Sequence, residues 1–265
     1  MGKILKVDMS TGTLRRENLS EDVARRYLGG KGYATHLLYQ YLKEYESKGL
    51  APSEIDPLGP ENVLIFATGP GTGVPGFPAS GRYHVMALRS PLTGSVGSAN
   101  SGGEWGPFLK FAGFDMIIIE GVSDTPIYLS IVNGEPEILD ASGIWGKNVF
   151  DTCRILKRKV GGKNTSVACI GPAGENLARM ACIVNDEHRA AGRTGLLGDD
   201  GNQRGDRPRA VPAQGVRHCD HGFPDAGHEW HRADPSASQP EAGGSHHPAL
   251  GFRAAARFDR AGHRR

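Results

Sequence analysis

Arg82 and two glycine-bearing stretches are the parts of this sequence best equipped for chemistry, and that chemistry is anion binding. A guanidinium is a planar fork that meets two oxygens of a phosphate at once. Arg82 stands between Gly81 and the apolar run at 83–88, where the start of a strand would hold it still. Asn100-Ser101-Gly102-Gly103 combines an amide, a hydroxyl and two backbone N–H groups without side-chain cover. Arg189-Ala190-Ala191-Gly192-Arg193 adds two cations around bared main chain. Such groups can cradle phosphate oxygens with amides and a few positive charges. Each also has a plainer reading. Arg82 could be a surface arginine on an edge strand, the two stretches tight turns, and Arg189 and Arg193 solvated loop residues.

Other groups are weaker candidates. Glu104 and Asp115 could form a carboxylate pair for acid–base work, but nothing in the sequence sets their separation. Gly69-Pro70-Gly71-Thr72-Gly73 is not a dinucleotide fingerprint, because proline occupies a spacer position and no helix evidently follows. Gly29-Gly30-Lys31-Gly32 reads as a bend or close packing contact, with an anion cradle as the alternative. Trp105 and Trp145 read as packing residues. The four cysteines, Cys153, Cys169, Cys182 and Cys219, lack the short spacings of metal sites and read as free thiols in a reducing compartment.

The elements that must position these residues follow from periodicity. A hairpin is expected at 4–8 and 13–17 around Ser10-Thr11-Gly12, then a helix capped by Ser20, broken by the glycines and resumed over 33–42. Buried strands are expected at 62–67 and 115–120, and a half-buried strand at 82–88. Asn133-Gly134 marks a second hairpin, a helix runs over 151–160, and strands follow at 165–170 and 179–184. The fold class is α+β: a β-rich domain of two packed sheets with a few flanking helices. The net charge of +2 gives no reason to expect nucleic acid or a membrane as partner, and no apolar run is long enough to span a bilayer. A cytoplasmic location is expected.

The chain divides at residue 197. From 198 to 265 there is no Lys, Ile, Tyr, Met or Thr, and seven of the ten histidines fall there. So few apolar residues cannot offset the entropy of ordering, and disorder is expected over 198–265. The composition resembles GC-rich coding DNA read out of frame. Leu197-Gly-Asp-Asp-Gly-Asn-Gln203 can be encoded so that a one-base slip yields Trp-Gly-Met-Met-Gly-Thr-Lys. On that reading His218-Cys219-Asp220-His221 and His228-Glu229-Trp230-His231 are chance, not zinc sites.

Several stretches, taken in order, carry a resemblance. They are Val7-Asp8-Met9-Ser10-Thr11-Gly12, Tyr27-Leu28-Gly29-Gly30-Lys31-Gly32, Ala67-Thr68-Gly69-Pro70-Gly71-Thr72-Gly73 and Ser80-Gly81-Arg82-Tyr83. Next come Ser90-Pro91-Leu92-Thr93-Gly94, Ala99-Asn100-Ser101-Gly102-Gly103, Leu109-Lys110-Phe111-Ala112-Gly113-Phe114-Asp115, Ile144-Trp145-Gly146-Lys147 and Ile170-Gly171-Pro172-Ala173-Gly174-Glu175-Asn176. The last is Asn185-Asp186-Glu187-His188-Arg189-Ala190-Ala191-Gly192-Arg193. In order and spacing, residues 1–197 resemble the N-terminal, cofactor-binding domain of tungsten-dependent aldehyde:ferredoxin oxidoreductases.

The resemblance implies a tungstopterin or molybdopterin cofactor with two pterins, whose phosphates lie near Arg82, Asn100, Ser101, Gly102, Gly103, Arg189, Ala190, Gly192 and Arg193. It implies a magnesium ion between those phosphates, held by the backbone carbonyls of Asn100 and Ala190. An intact relative would oxidise an aldehyde to a carboxylic acid and pass electrons to ferredoxin, with a second copy of the chain as a further candidate partner. Its 4Fe-4S cluster and acid–base residues would lie in later domains, so this chain is expected to be a fragment without turnover of its own. Two alternatives stay open: a stand-alone pterin-phosphate-binding module or assembly subunit, and an unrelated β-rich protein whose glycines merely turn.

Overall fold

Asp8 turns the chain back on itself within its first dozen residues. Its carboxylate accepts the Ser10 N–H at 2.9 Å and the Thr11 hydroxyl at 2.8 Å, an Asx turn that closes the hairpin of β1 (Lys3–Asp8) and β2 (Thr13–Asn18). Ser20 then caps α1 (Glu21–Tyr27), accepting the Val23 N–H, with Glu21 and Asp22 at the positive helix end. Leu28, at φ 64°, breaks the helix, and α2 (Gly30–Ser47) begins inside the glycine cluster rather than at residue 33. The computed structural model describes residues 2–160, 164–193 and 253–257.

Two six-stranded sheets follow. The first has the order β2-β1-β6-β3-β4-β5, with β3 (Leu64–Thr68), β4 (Tyr83–Ala87), β5 (Gly97–Ser101) and β6 (Met116–Glu120). β1 and β6 are parallel and the other pairs antiparallel. Between β5 and β6 lies the short helix α3 (Trp105–Phe111). The second sheet has the order β11-β10-β9-β12-β7-β8. Its members are β7 (Ile127–Val132), β8 (Glu135–Asp140), β9 (Thr165–Cys169), β10 (Cys182–Asn185), β11 (Arg189–Arg193) and β12 (Arg253–Arg257). α4 (Val149–Val160) and the single turn α5 (Pro172–Glu175) complete the elements. Asn133 at φ 52° and Gly134 at φ 85° make the two-residue turn of the β7–β8 hairpin.

Packing explains why the strands read as unbroken apolar runs. Phe66, Val85, Ile117 and Ile119 of the first sheet meet Leu129, Ile131, Ala168 and Ile183 of the second in a central core. The opposite face of the first sheet, with Ile65, Ala67, Met86 and Ile118, is covered by Tyr33, Ala34 and Leu38 of α2. α4 closes the other side, setting Cys153 and Leu156 on Tyr128, Val167 and Cys169. The inner strands β3, β4 and β6 of the first sheet are therefore buried on both faces. This corrects the expectation of a half-buried strand at 82–88: Tyr83, Val85, Met86 and Ala87 are all buried, and His84 alone in the strand is partly exposed.

Trp105 packs as expected, tilted against Phe66 at 5.1 Å and Tyr83 at 4.7 Å. Cys153 and Cys169 are buried and Cys182 is half-buried, none of them in a disulfide among the described residues. The tail expected to be disordered, with Cys219 and the two histidine motifs, lies outside the described residues apart from Arg253–Arg257, which pair between β7 and β9. Among the described residues no helix is long and apolar enough to cross a membrane.

Candidate functional site

β5 and β11 are the outer strands of their respective sheets, and they pack against each other. Each therefore carries, among the described residues, a row of backbone groups with no strand hydrogen-bonded to it. Asn100 lies on the first of these edges and Ala190 on the second. The register of β4 with β5 places Asn100 opposite His84 and Ser101 opposite Tyr83, so Arg82 emerges beside Asn100.

A relay runs from there into the first sheet. An Arg82 guanidinium nitrogen donates to Asn100 Oδ1 at 2.8 Å, and Asn100 Nδ2 donates to His84 Nε2 at 3.0 Å. Because an amide nitrogen is only a donor, His84 Nε2 must accept, and the neutral ring carries its proton on Nδ1. Burial, then the charges of Lys31 and Arg82, push the His84 pKa down and favour that neutral form. Nδ1 is buried and finds no acceptor among the described residues.

The second arm is joined to the first through Asn185. This fully buried amide accepts from the Tyr83 hydroxyl at 3.0 Å and the Ser101 hydroxyl at 2.8 Å. It donates to Gly102 O at 3.0 Å and to Asp186 Oδ2 at 3.1 Å, so its four bonding positions are used. Asp186 Oδ2 also accepts the Glu104 N–H at 3.2 Å, and Asp186 Oδ1 accepts from Ser166 at 2.5 Å. Burial drives the Tyr83 phenol pKa upward, keeping it a donor.

Glycine is required where the arms touch. Gly103 sits at φ 98°, and a Cβ there would lie 2.9 Å from Asn185 Nδ2 and 3.3 Å from Arg189 Cγ. A Cβ on Gly81 would lie 2.5 Å from Gly103 O. Gly103→Ala is expected to cost roughly 1–3 kcal/mol through backbone strain alone. Thermal unfolding should show a fall of several degrees in the midpoint, and an unchanged midpoint would contradict the geometry.

Arg82, Asn100, Gly102, Gly103 and Arg189 are thus brought to one junction, with Arg82, Asn100, Arg189 and Ala190 all exposed. Gly192 and Arg193 continue along β11, with Arg193 opposite Cys182. Ser101 departs from expectation: the residue is 2% exposed and its hydroxyl is committed to Asn185, so it braces the site and is not offered to a ligand. Asp115 is likewise no acid–base partner of Glu104, because its carboxylate pairs with Lys110 at 2.5 Å. His84, Asn185 and Asp186 were not among the residues expected at the site.

A cleft of about 130 Å³ at Leu58, Leu64, Ile170, Leu177 and Ile183 includes none of the residues of this junction. Its lining is mostly apolar, and its Arg89 is already bonded to the carbonyls of Ser53, Ile55 and Gly94. Arg179 also lines it, so the cleft is set apart from the junction by its position.

The family described as aldehyde ferredoxin oxidoreductase, N-terminal domain, matches residues 4–198. The chain belongs to the aldehyde ferredoxin oxidoreductase family. It is 50% identical over 195 residues to the tungsten-containing aldehyde ferredoxin oxidoreductase of Pyrococcus horikoshii, covering 74% of this chain and 30% of that protein. It is 37% identical over 207 residues to the aliphatic sulfonate oxidoreductase, WOR-like subunit, of Pyrococcus furiosus, covering 73% and 31%. Among solved structures, the active site complex BamBC of benzoyl coenzyme A reductase with 1,5 dienoyl-CoA aligns with a TM-score of 0.66. That alignment has 36% identity and covers 73% of this chain and 28% of the other. The chain therefore spans about 30% of the length of the curated relatives it matches. What this family member shares with them is its N-terminal domain.

Proposed function

We propose that residues 1–197 form one wall of the site for a tungsten-bis-pterin cofactor, in an oxidoreductase that converts aldehydes to carboxylic acids with ferredoxin as electron acceptor. The observation that carries this reading is the meeting of Arg82, Asn100, Gly102, Gly103 and Arg189 where β5 packs on β11. These residues suit a phosphorylated ligand on three grounds: exposed guanidinium groups, main chain bared by glycine, and a buried His84 Nδ1–H in want of an acceptor.

Within this reading each residue has a definite task. Arg82 binds a phosphate with the part of its fork that Asn100 leaves free, while Asn100 orients that fork. Arg189, Gly192 and Arg193 add cationic and backbone contacts from β11. The carbonyls of Asn100 and Ala190 are hard oxygen donors of the kind magnesium prefers, and each stands on a sheet edge. When bound, the metal–pterin group supplies the two-electron redox chemistry, with molybdenum as the alternative metal. Relatives named for different substrates share this domain, which supports a role in holding the cofactor rather than in choosing the substrate. No set of clustered thiols for a 4Fe-4S centre is expected from Cys153, Cys169 and Cys182, so that centre is assigned to further domains.

Because every residue of the wall lies within 1–197, the same geometry also supports a pterin-phosphate-binding module without turnover. One experiment tests what the two readings share. The chain, dialysed anaerobically against tungsten–pterin extracted from an aldehyde-oxidising relative, should retain tungsten by elemental analysis with magnesium present. Chelating magnesium should release most of it. Retention no greater than that of an unrelated protein would end the proposal.

A further inference from the structure

The turn between β10 and β11 is held in an unfavourable conformation by contacts that reach the opposite arm of the site. Asp186 at φ 49° and Glu187 at φ 70° are consecutive left-handed residues, yet neither is glycine or asparagine. Such residues persist only where their surroundings over-determine them. Here the surroundings are specific. The Asp186 N–H donates to Val167 O at 3.0 Å, and its carboxylate joins Ser166 of β9, Asn185 of β10 and the Glu104 N–H beyond β5. Glu187 lies 3.8 Å from Lys157 of α4.

We infer that Asp186, seated on Asn185, is a positioning residue: a strut that sets the spacing between the Asn100–Gly103 arm and the Arg189–Ala190 arm. The inference rests on the cofactor-wall reading and adds to it a residue that touches neither phosphate nor metal. Three features make the carboxylate, and not merely the turn, responsible. It alone bridges the second sheet to the Glu104 N–H. It lies 3.3 Å from the position a Gly103 Cβ would take, so it bears directly on the arm. It also occupies one donor position of Asn185, whose other amide hydrogen holds Gly102 O. Two arms fixed to a few tenths of an ångström are what a shared oxygen-coordinated cation demands, since magnesium tolerates little departure from its preferred geometry.

Asn185→Ala would strand four partners, the buried Tyr83 and Ser101 hydroxyls among them, and is a poor test, because the chain could simply unfold. Asp186→Gly is the informative variant, since glycine accepts the left-handed turn while deleting the carboxylate. Glu187→Gly is its control, relieving strain at the neighbouring position and leaving the strut intact. Magnesium with inorganic pyrophosphate serves as the probe, titrated calorimetrically into the full chain. Hydrogen exchange at the Glu104 amide is read in parallel. Asp186→Gly should weaken binding at least tenfold and speed Glu104 exchange, with both quantities close to wild type in Glu187→Gly. Wild-type binding in Asp186→Gly, or equal loss in both variants, would overturn the strut. No binding by the wild-type chain would instead remove the cofactor-wall reading, and the strut with it, whatever the Glu104 exchange reports.

Discussion

Replacing Asp115 with alanine is expected to destabilise the domain by about 3 kcal/mol, the lower end of what removing one partner of a buried ion pair costs. The Lys110 and Asp115 side chains are 7% and 12% exposed, with 2.5 Å between ammonium and carboxylate. The other carboxylate oxygen accepts the N–H groups of Gly2 at 2.5 Å and Lys3 at 3.2 Å. The main chain of Asp115 meanwhile accepts from the Thr68 N–H and hydroxyl and donates to Lys3 O. One residue therefore ties α3, β1 and β3 together at the head of β6. Alanine would leave a nearly buried ammonium without a counter-charge and two amides without an acceptor. Burial alone would raise this carboxyl pKa, but the bonds from Lys110, Gly2 and Lys3 outweigh it and hold the pKa below the usual value. A depressed carboxylate stabilises the fold above its unfolded pKa, near 3.9, and that contribution disappears as pH falls through the lower folded value. Urea unfolding should thus separate wild type from Asp115→Ala fully at pH 7 and progressively less below about pH 4. A difference under about 1 kcal/mol at pH 7 would show that the pair is no more than a surface contact.

The parts of the fold that were legible in the sequence are those decided locally. Asp8 with Ser10 and Thr11, the Ser20 cap, and Asn133-Gly134 each settle their own turn or helix start within four residues. β5 and β11 were missed for a physical reason. Gly97-Ser-Ala-Asn-Ser101 and Arg189-Ala-Ala-Gly-Arg193 hold no β-branched or aromatic residue, and they become strands because each lies along the edge of a sheet built by others. The extended reading of 82–88 placed the strand well, but α2 packs over it from 50 residues upstream and buries its second face.

The same division holds at the site. Arg82 could be picked out because its side chain and glycine neighbour suit an anion by themselves. Asn185 and Asp186 could not, since their partners lie 83 and 84 positions away at Gly102 and Ser101, and 82 at Glu104. The available signal was two polar residues closing the apolar strand Cys182–Asn185, where a solvent-facing turn needs only one. His84 carried a similar signal, a lone histidine inside an otherwise apolar strand.

Arg82→Ala should weaken retention of the tungsten–pterin group by roughly a hundredfold, since one hydrogen bond to a charged partner is worth about 1.5–3 kcal/mol and a forked contact makes more than one. Stability should hardly change, because Arg82 is exposed and exposed substitutions usually fall within about 0.5 kcal/mol. Among the described residues its side chain bonds only to Asn100, and no carboxylate lies within ion-pair reach of it. That separation of affinity from stability is the diagnostic feature. Arg82→Lys sharpens it: the charge survives, but a lysine ammonium cannot pair with two oxygens while donating sideways to Asn100. An intermediate loss of about tenfold is expected for lysine if geometry matters as well as charge. Equal binding by arginine and lysine would reduce the role of Arg82 to general attraction, which added salt would then screen. Should the alanine variant also bind within twofold of wild type, with an unchanged unfolding midpoint, Arg82 is only a surface arginine on the rim of β4.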